Sequence, residues 1–182
     1  MKKLRQNLFR HTSIKSRRLS GKVTEVKDKI VRWLSEETLS IEDMNDPNNQ
    51  WNISVNTEPL FVNIIQCKDR SDSIMLCTNY DLSEQQMEQL NTIGEEKIRQ
   101  FWYDVRLTFS KNNELGTHKL HSKIANNITG VFICSRRIYY DGLTKDRLMF
   151  LLGVIQKTIF SMLVMLDRAT GVHPTKNLEF YR

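Results

Sequence analysis

The feature that most constrains this chain is an apolar segment near its C-terminal end. Between Leu148 and Leu166, fourteen of nineteen residues are apolar. A helix that is apolar on nearly all sides has to be covered on more than one side. A membrane span is disfavoured, because a lysine at the centre (here Lys157) costs about 2.5–3.5 kcal/mol on insertion scales. The segment therefore predicts a long helix buried between a sheet and a second covering surface.

Two arrangements can supply that second surface. A copy of the same chain can cover the helix, or the helix that begins near Ser83, or the N-terminal arm, can cover it within a monomer. Contacts between identical chains are most often twofold, so we expect a homodimer. The side chains predicted to form this partner or dimer surface are Leu151, Ile155, Ile159, Met162 and Val164.

The first half of the chain predicts one helix and a β-meander. A helix that ends near Thr38 presents Val23, Val26, Ile30, Trp33 and Leu34 on one face. Residues 42–50 have strong turn chemistry and predict a loop. Strands follow at residues 51–56, 60–67 and 74–80. Short strands joined by tight turns are typical of an antiparallel meander.

The second half predicts further helices and strands. Ser83 and Gln86 form a capping-box pattern at the start of a helix of about 27 residues. Gly94 lies on its apolar stripe, where it would allow a close approach to the sheet. Strands are predicted at 119–125 and 131–140, and Thr144 is the expected N-cap of the last helix. The whole pattern predicts an α+β domain, residues 23–182, with an antiparallel sheet of about four to five strands packed against long helices.

Positive charge is concentrated in residues 1–22, which contain no acidic residue. The remaining chain has 19 basic and 21 acidic residues, a net charge of −2. Such a basic N-terminal arm can bind nucleic acid or an anionic membrane surface, can be a solvated tail, or can be a transit peptide. Its candidate nucleic-acid contacts are Lys2, Lys3, Arg5, Arg10, Lys15, Arg17, Arg18 and Lys22.

Motifs for catalysis and cofactor binding are absent from the sequence. It has neither a glycine-rich phosphate loop nor a nucleophile elbow. His118 and His121 have no third metal ligand at a convincing spacing. The three cysteines lie within apolar strands, where free thiols act as small apolar side chains: Cys67, Cys77 and Cys134. We therefore expect no catalytic residues, no metal and no cofactor.

Several local patterns resemble an uncharacterised archaeal protein family with a type III secretion chaperone-like fold. They are Ile30-Val31-Arg32-Trp33-Leu34, Val62-Asn63-Ile64-Ile65, Ser83-Glu84-Gln85-Gln86 and Ile138-Tyr139-Tyr140-Asp141-Gly142-Leu143-Thr144. The resemblance covers about residues 23–170 and leaves the arm outside. It implies a dimeric, non-enzymatic scaffold that binds another polypeptide through apolar sheet or helix surfaces.

These observations predict a cytoplasmic binding module with no enzymatic activity. It is expected to form a homodimer and to hold a protein partner. The alternative is a nucleic-acid-associated protein that uses the basic arm, without reading sequence, for affinity.

Overall fold

Four helices pack on one face of a seven-stranded antiparallel sheet in this computed structural model, which describes residues 23–122 and 128–171. The helices are α1 (residues 23–36), α2 (Glu84–Thr92), α3 (Glu95–Ser110) and α4 (Lys145–Thr170). The strands are β1 (Ser40–Met44), β2 (Asn49–Asn56), β3 (Phe61–Cys67), β4 (Ser73–Asp81), β5 (Leu115–His121), β6 (Gly130–Ser135) and β7 (Ile138–Tyr139).

The main path of the sheet runs β1-β2-β3-β4-β6-β5, and the short β7 pairs with β4. The α+β class and the antiparallel sheet are confirmed, but the sheet has more strands than the four to five predicted.

Strand β1 occupies part of the segment predicted as a loop. Of its five residues only Ile41 is half-buried, so this edge strand lacks the apolar alternation that identifies a strand in a sequence. The predicted strand 131–140 is divided into β6 and β7 at Arg136 and Arg137.

Alternate residues of the central strands point toward the helices and build the core. In β2 these are Trp51, Ile53 and Val55, each at most 8% exposed. One apolar cluster joins them to α1 and to the first half of α4, and a second cluster joins α2, α3, β6 and the second half of α4. The amphipathic α1 helix is confirmed, since Ile30 and Leu34 are fully buried. Ser20, which its side chain and position before this helix favour as the N-cap, lies outside the described residues.

The predicted 27-residue helix is wrong, because Gly94 divides it into α2 and α3. Gly94 has φ +86°, a conformation that L side chains rarely adopt, and it is the residue before the first turn of α3. No atom lies within 4 Å of the position that a Cβ would occupy there. Backbone conformation, not close packing against the sheet, therefore explains this glycine.

The capping box is confirmed: the Gln86 main-chain N–H donates to Ser83 Oγ at 3.2 Å, and the Ser83 N–H donates to Gln86 Oε1 at 2.8 Å.

Helix α4 begins and ends with local signals. The Thr144 side chain accepts a hydrogen bond of 3.1 Å from the Arg147 N–H, and Gly171 ends the helix in the left-handed conformation, φ +69°. Among the helices in the described part of the chain, α4 is the one whose length and mean hydropathy (1.9 over its most apolar window) would suffice to cross a membrane. Its buried residues pack against the sheet and the neighbouring helices, as those of a core helix do.

Candidate binding site on the open face of the sheet

The face of the sheet opposite the helices is left open by the residues that the structure describes. Strand pairing places one side chain from each strand of the main path in a continuous row on this face. In strand order the row is Glu42, Ser54, Asn63, Cys77, Cys134 and Thr117. A second row continues through Met44, Asn52, Ile65 and Met75. Directly opposed residues of antiparallel strands share a face, so these rows form one mixed polar and apolar surface.

A groove with a volume of about 820 Å³ lies over this surface. Its floor combines the amides of Asn52 and Asn63 with the apolar side chains of Ile65 and Met75. All four side chains are half-buried, which leaves them accessible from the open side. The groove therefore offers hydrogen-bonding groups and apolar contacts side by side.

A disulfide joins two neighbouring strands beneath the groove. Cys77 on β4 lies directly opposite Cys134 on β6, and their sulfur atoms are bonded. The expectation that all three cysteines act as free, small apolar side chains is wrong for this pair. Cys67, in contrast, is a half-buried free thiol, as predicted. The bonded cysteines are 57 residues apart in the sequence, and they become neighbours only because β6 returns to pair with β4.

Two arginines, Arg136 and Arg137, form one end of the groove, in the link between β6 and β7. The main-chain N–H of Arg136 donates to the Glu114 main-chain oxygen at 2.8 Å, which holds this link in place. Within the described residues neither guanidinium forms an ion pair, and Arg137 Nη1 is buried without an acceptor. On the floor, Asn52 Oδ1 is also buried without a donor. Both atoms have almost no accessible surface, so a ligand in the groove reaches them only when their side chains turn toward it.

The two histidines considered as metal ligands do not meet. They are three residues apart on β5, so they point to opposite faces of the sheet. His121 Nε2 lies 2.7 Å from the Asp81 carboxylate, and His118 Nε2 lies 3.4 Å from Ser110 Oγ on the helix side. No group of three or more side chains capable of holding a metal occurs among the residues described.

Four of the five residues predicted to form a partner or dimer surface are buried inside the chain. Leu151, Ile155 and Met162 are 0% exposed and Ile159 is 1% exposed, while Val164 is half-buried. The prediction is corrected for the four buried residues, because the sheet and the other helices of the same chain cover them. The most exposed large apolar residue of α4 is instead Phe150, at 53%. The eight basic residues of the arm, from Lys2 to Lys22, lie outside the described part of the chain.

Sequence reasoning missed the groove, although one signal for its floor was present. The polar positions of β2, including Asn52 and Ser54, alternate with buried residues, and this alternation predicts only that one face of the strand is in contact with solvent. Nothing in the spacing indicates that Ile65 and Met75, from two other strands, lie beside them.

Fold and groove together define a class: an α+β domain with helices on one side of its sheet and an open, groove-bearing face on the other. The chain belongs to the DUF2299 family, described as an uncharacterized conserved protein, and the family model matches residues 26–166. No curated protein matches this chain significantly.

Two solved structures are similar to this chain. One is an uncharacterized protein from Methanothermobacter thermautotrophicus, an archaeon, with 23% identity and a TM-score of 0.69; the match covers 78% of this chain and 96% of that one. The other is YbjN from E. coli, with 11% identity and a TM-score of 0.44; the match covers 77% of this chain and 88% of that one. The likeness to the archaeal protein shows a shared fold.

Proposed function

We propose that this protein is a non-enzymatic binding module that holds an extended segment of a partner polypeptide on the open face of its sheet. The observation that carries the proposal is the groove of about 820 Å³ over a sheet face that the chain's described helices leave uncovered. A concave site with apolar walls and a few polar groups is the usual form of a binding site.

The chemistry of the groove suits a polypeptide. The Asn52 and Asn63 amides can each donate and accept, as the alternating N–H and C=O groups of an extended chain require. Ile65 and Met75 offer apolar contacts between them, and methionine adapts to partners of different shape. The acid in the lining, Asp46, accepts hydrogen bonds from the Asn48 N–H and the Asn49 side-chain amide, so its carboxylate is engaged in its own turn.

The proposal extends to fold family, location and assembly. We infer a type III secretion chaperone-like scaffold, a cytoplasmic location and a homodimer. Because four of the five α4 residues expected at the interface are buried, a dimer has to use exposed apolar side chains. Tyr103 and Leu107, one turn apart on α3, are 61% and 41% exposed and are the best placed of these away from the groove.

A displayed library of random twelve-residue peptides tests the proposed function. Wild-type protein is expected to enrich peptides that bind in the micromolar range, and Met75→Glu on the groove floor is expected to weaken them about tenfold or more by placing a charge in the site. Phe150→Glu is the matched control, because it adds the same charge at a 53% exposed apolar position on α4, outside the groove. If no peptide is enriched, or if both variants bind equally well, the groove is not a polypeptide site.

Nucleic-acid binding through the arm is the second candidate. It is favoured by one observation, that residues 1–22 contain eight basic residues and no acid, whereas the rest of the chain has a net charge of −2. Deleting residues 1–22 is then expected to abolish binding to a labelled duplex or single strand, and wild-type binding is expected to weaken steeply with added salt. Binding that survives the deletion would contradict this candidate.

A further inference from the structure

We propose that the groove selects an acidic segment of its partner, whose carboxylate is bound by Arg136 and Arg137. This inference rests on the proposed function and adds the charge of the partner. The two arginines lie at one end of the groove, where the β6–β7 link is held by the hydrogen bond from Arg136 N–H to the Glu114 oxygen. The positive charge is therefore attached to a fixed part of the sheet.

Arg137 differs from the other arginines in the described residues, because one of its guanidinium nitrogens is buried without an acceptor. Arg99 pairs with Glu96 at 3.2 Å, and Arg147 pairs with Glu114. Arg136 and Arg137 have no such partner, and Arg137 Nη1 is buried without any acceptor. A buried donor without an acceptor is costly, and a carboxylate can satisfy a guanidinium through two parallel hydrogen bonds. A carboxylate at this end of the groove would remove this cost when the Arg137 guanidinium turns toward it, and exposed Arg136 is accessible as it stands.

The floor of the groove indicates what accompanies the carboxylate. Among the described residues Asn52 Oδ1 has no donor, and a main-chain N–H of an extended segment can supply one when this amide turns toward the groove. Ile65 on β3 lies directly opposite Asn52, Met75 on β4 lies directly opposite Ile65, and both line the groove. The best match is an extended segment in which an acidic residue is flanked by apolar residues.

Charge also decides between the possible occupants. The N-terminal arm, with eight basic residues and no acid, would place like charge against the arginines. A nucleic-acid strand needs a basic stripe that follows its backbone, whereas here the positive charge is confined to one end and Asp46 and Glu42 lie on the same face. An acidic polypeptide meets favourable charge at the arginines and amides elsewhere.

The test uses the same peptide library with wild-type protein, Arg137→Ala and Arg136→Ala. Arg136 is exposed, so its variant keeps the test valid if Arg137→Ala folds poorly. Arg99→Ala, on the exposed side of α3, is the matched control. We expect wild-type protein to enrich peptides with Asp or Glu at one fixed position, and we expect both groove variants, but not the control, to lose that enrichment.

A selected peptide then serves as the probe for affinity. Replacing its acidic residue by the neutral amide is expected to raise Kd about tenfold or more for wild-type protein, and to have little further effect on Arg137→Ala, because the same contact is lost in both cases. Equal binding of the acidic and amide peptides would overturn the acidic preference and leave the proposed function standing. Failure to enrich any peptide would overturn both.

Two further measurements test whether the arginines bind a nucleic acid or a second copy of this protein instead of an acidic peptide. Binding of a twelve-nucleotide single strand that Arg137→Ala abolishes while peptide binding is unchanged would overturn the inference in favour of phosphate. A solution mass that falls from twice 21.5 kDa to one chain in Arg137→Ala would overturn it in favour of a second copy of this protein. An unchanged mass together with the peptide results above supports it.

Discussion

The side-chain amide of Gln156, on α4, donates a hydrogen bond of 2.7 Å to the main-chain oxygen of Thr57, between β2 and β3. Gln156 is one of the few polar residues in the apolar stretch of this helix. A second one, Thr158, is 5% exposed, accepts a hydrogen bond of 3.2 Å from the Asn112 amide and donates to the Val154 oxygen at 2.7 Å. Gln156 and Thr158 thus bind α4 to other elements of the chain.

Replacing Gln156 by leucine is therefore expected to destabilise the fold. The Thr57 oxygen loses its donor from α4, and the cost of one such hydrogen bond is about 1 kcal/mol in the free energy of unfolding. Urea denaturation followed by circular dichroism measures it. Lys157→Ala, at the neighbouring exposed position, is the control and should change the free energy of unfolding by less than about 0.5 kcal/mol. A more stable Gln156→Leu protein would show that this contact does not hold α4.

Truncating Ile159 tests the burial of α4 within one chain. Ile159 is 1% exposed, so Ile159→Ala should lower the free energy of unfolding by about 2–5 kcal/mol, from lost burial and the cavity that remains. Val164→Ala, at a half-buried position, should cost clearly less. Light scattering on the folded variants should give the same solution mass as wild type. If wild-type protein is a dimer and Ile159→Ala is a stable monomer, Ile159 lies at an interface between chains.

The same substitution at two glycines should have opposite effects. Gly94 has φ +86° between α2 and α3, so Gly94→Ala is expected to cost about 1–3 kcal/mol in backbone strain. Gly153 lies inside α4 with no atom within 4 Å of its would-be Cβ, so Gly153→Ala should stabilise the protein by up to about 1 kcal/mol. Thermal or urea unfolding of both variants measures the difference. If both variants changed the free energy of unfolding in the same direction, this result would contradict the division of the predicted long helix at Gly94.

Tyr140 should make the stability depend on pH in the alkaline range. Burial raises the pKa of its hydroxyl from 10.0 to about 12; the Asp72 carboxylate also raises this pKa, and the Gln66 amide lowers it slightly. Within the described residues, neither the Tyr140 hydroxyl nor the Gln66 amide forms a regular hydrogen bond, although both are buried. Below pH 10 the hydroxyl is protonated in the folded and unfolded states. Between about pH 10 and about pH 12 the unfolded chain loses the proton first, so the stability falls as pH rises.

Tyr140→Phe isolates this contribution from the other groups that titrate there. The difference in urea midpoint between wild type and Tyr140→Phe should be constant up to about pH 9 and should then shift against wild type towards about pH 12. Tyr103→Phe, at a 61% exposed position, is the matched control and should follow wild type. A constant difference across the whole range would show that the Tyr140 hydroxyl is not held in a buried environment.

The sequence by itself determined the local elements of this protein. Helix α1, the capping box at Ser83, the N-cap at Thr144 and the alternating strand β2 were all predicted, because each depends on residues a few positions apart. The apolar stretch of α4 likewise indicated a helix covered on more than one side, and the structure places it so.

Only the tertiary structure decided which segments meet. The exposed segment β1 is a strand because it pairs with β2. Cys77 and Cys134 form a disulfide although they are 57 residues apart in the sequence. Ile155 and Ile159 are buried by the sheet and helices of the same chain. The groove likewise depends on the order of strands, since Asn52, Met75 and Arg137 are far apart in the sequence. Local periodicity specifies which side of an element is apolar. What covers that side depends on contacts between residues far apart in the sequence, and a local sequence pattern contains no information about those contacts.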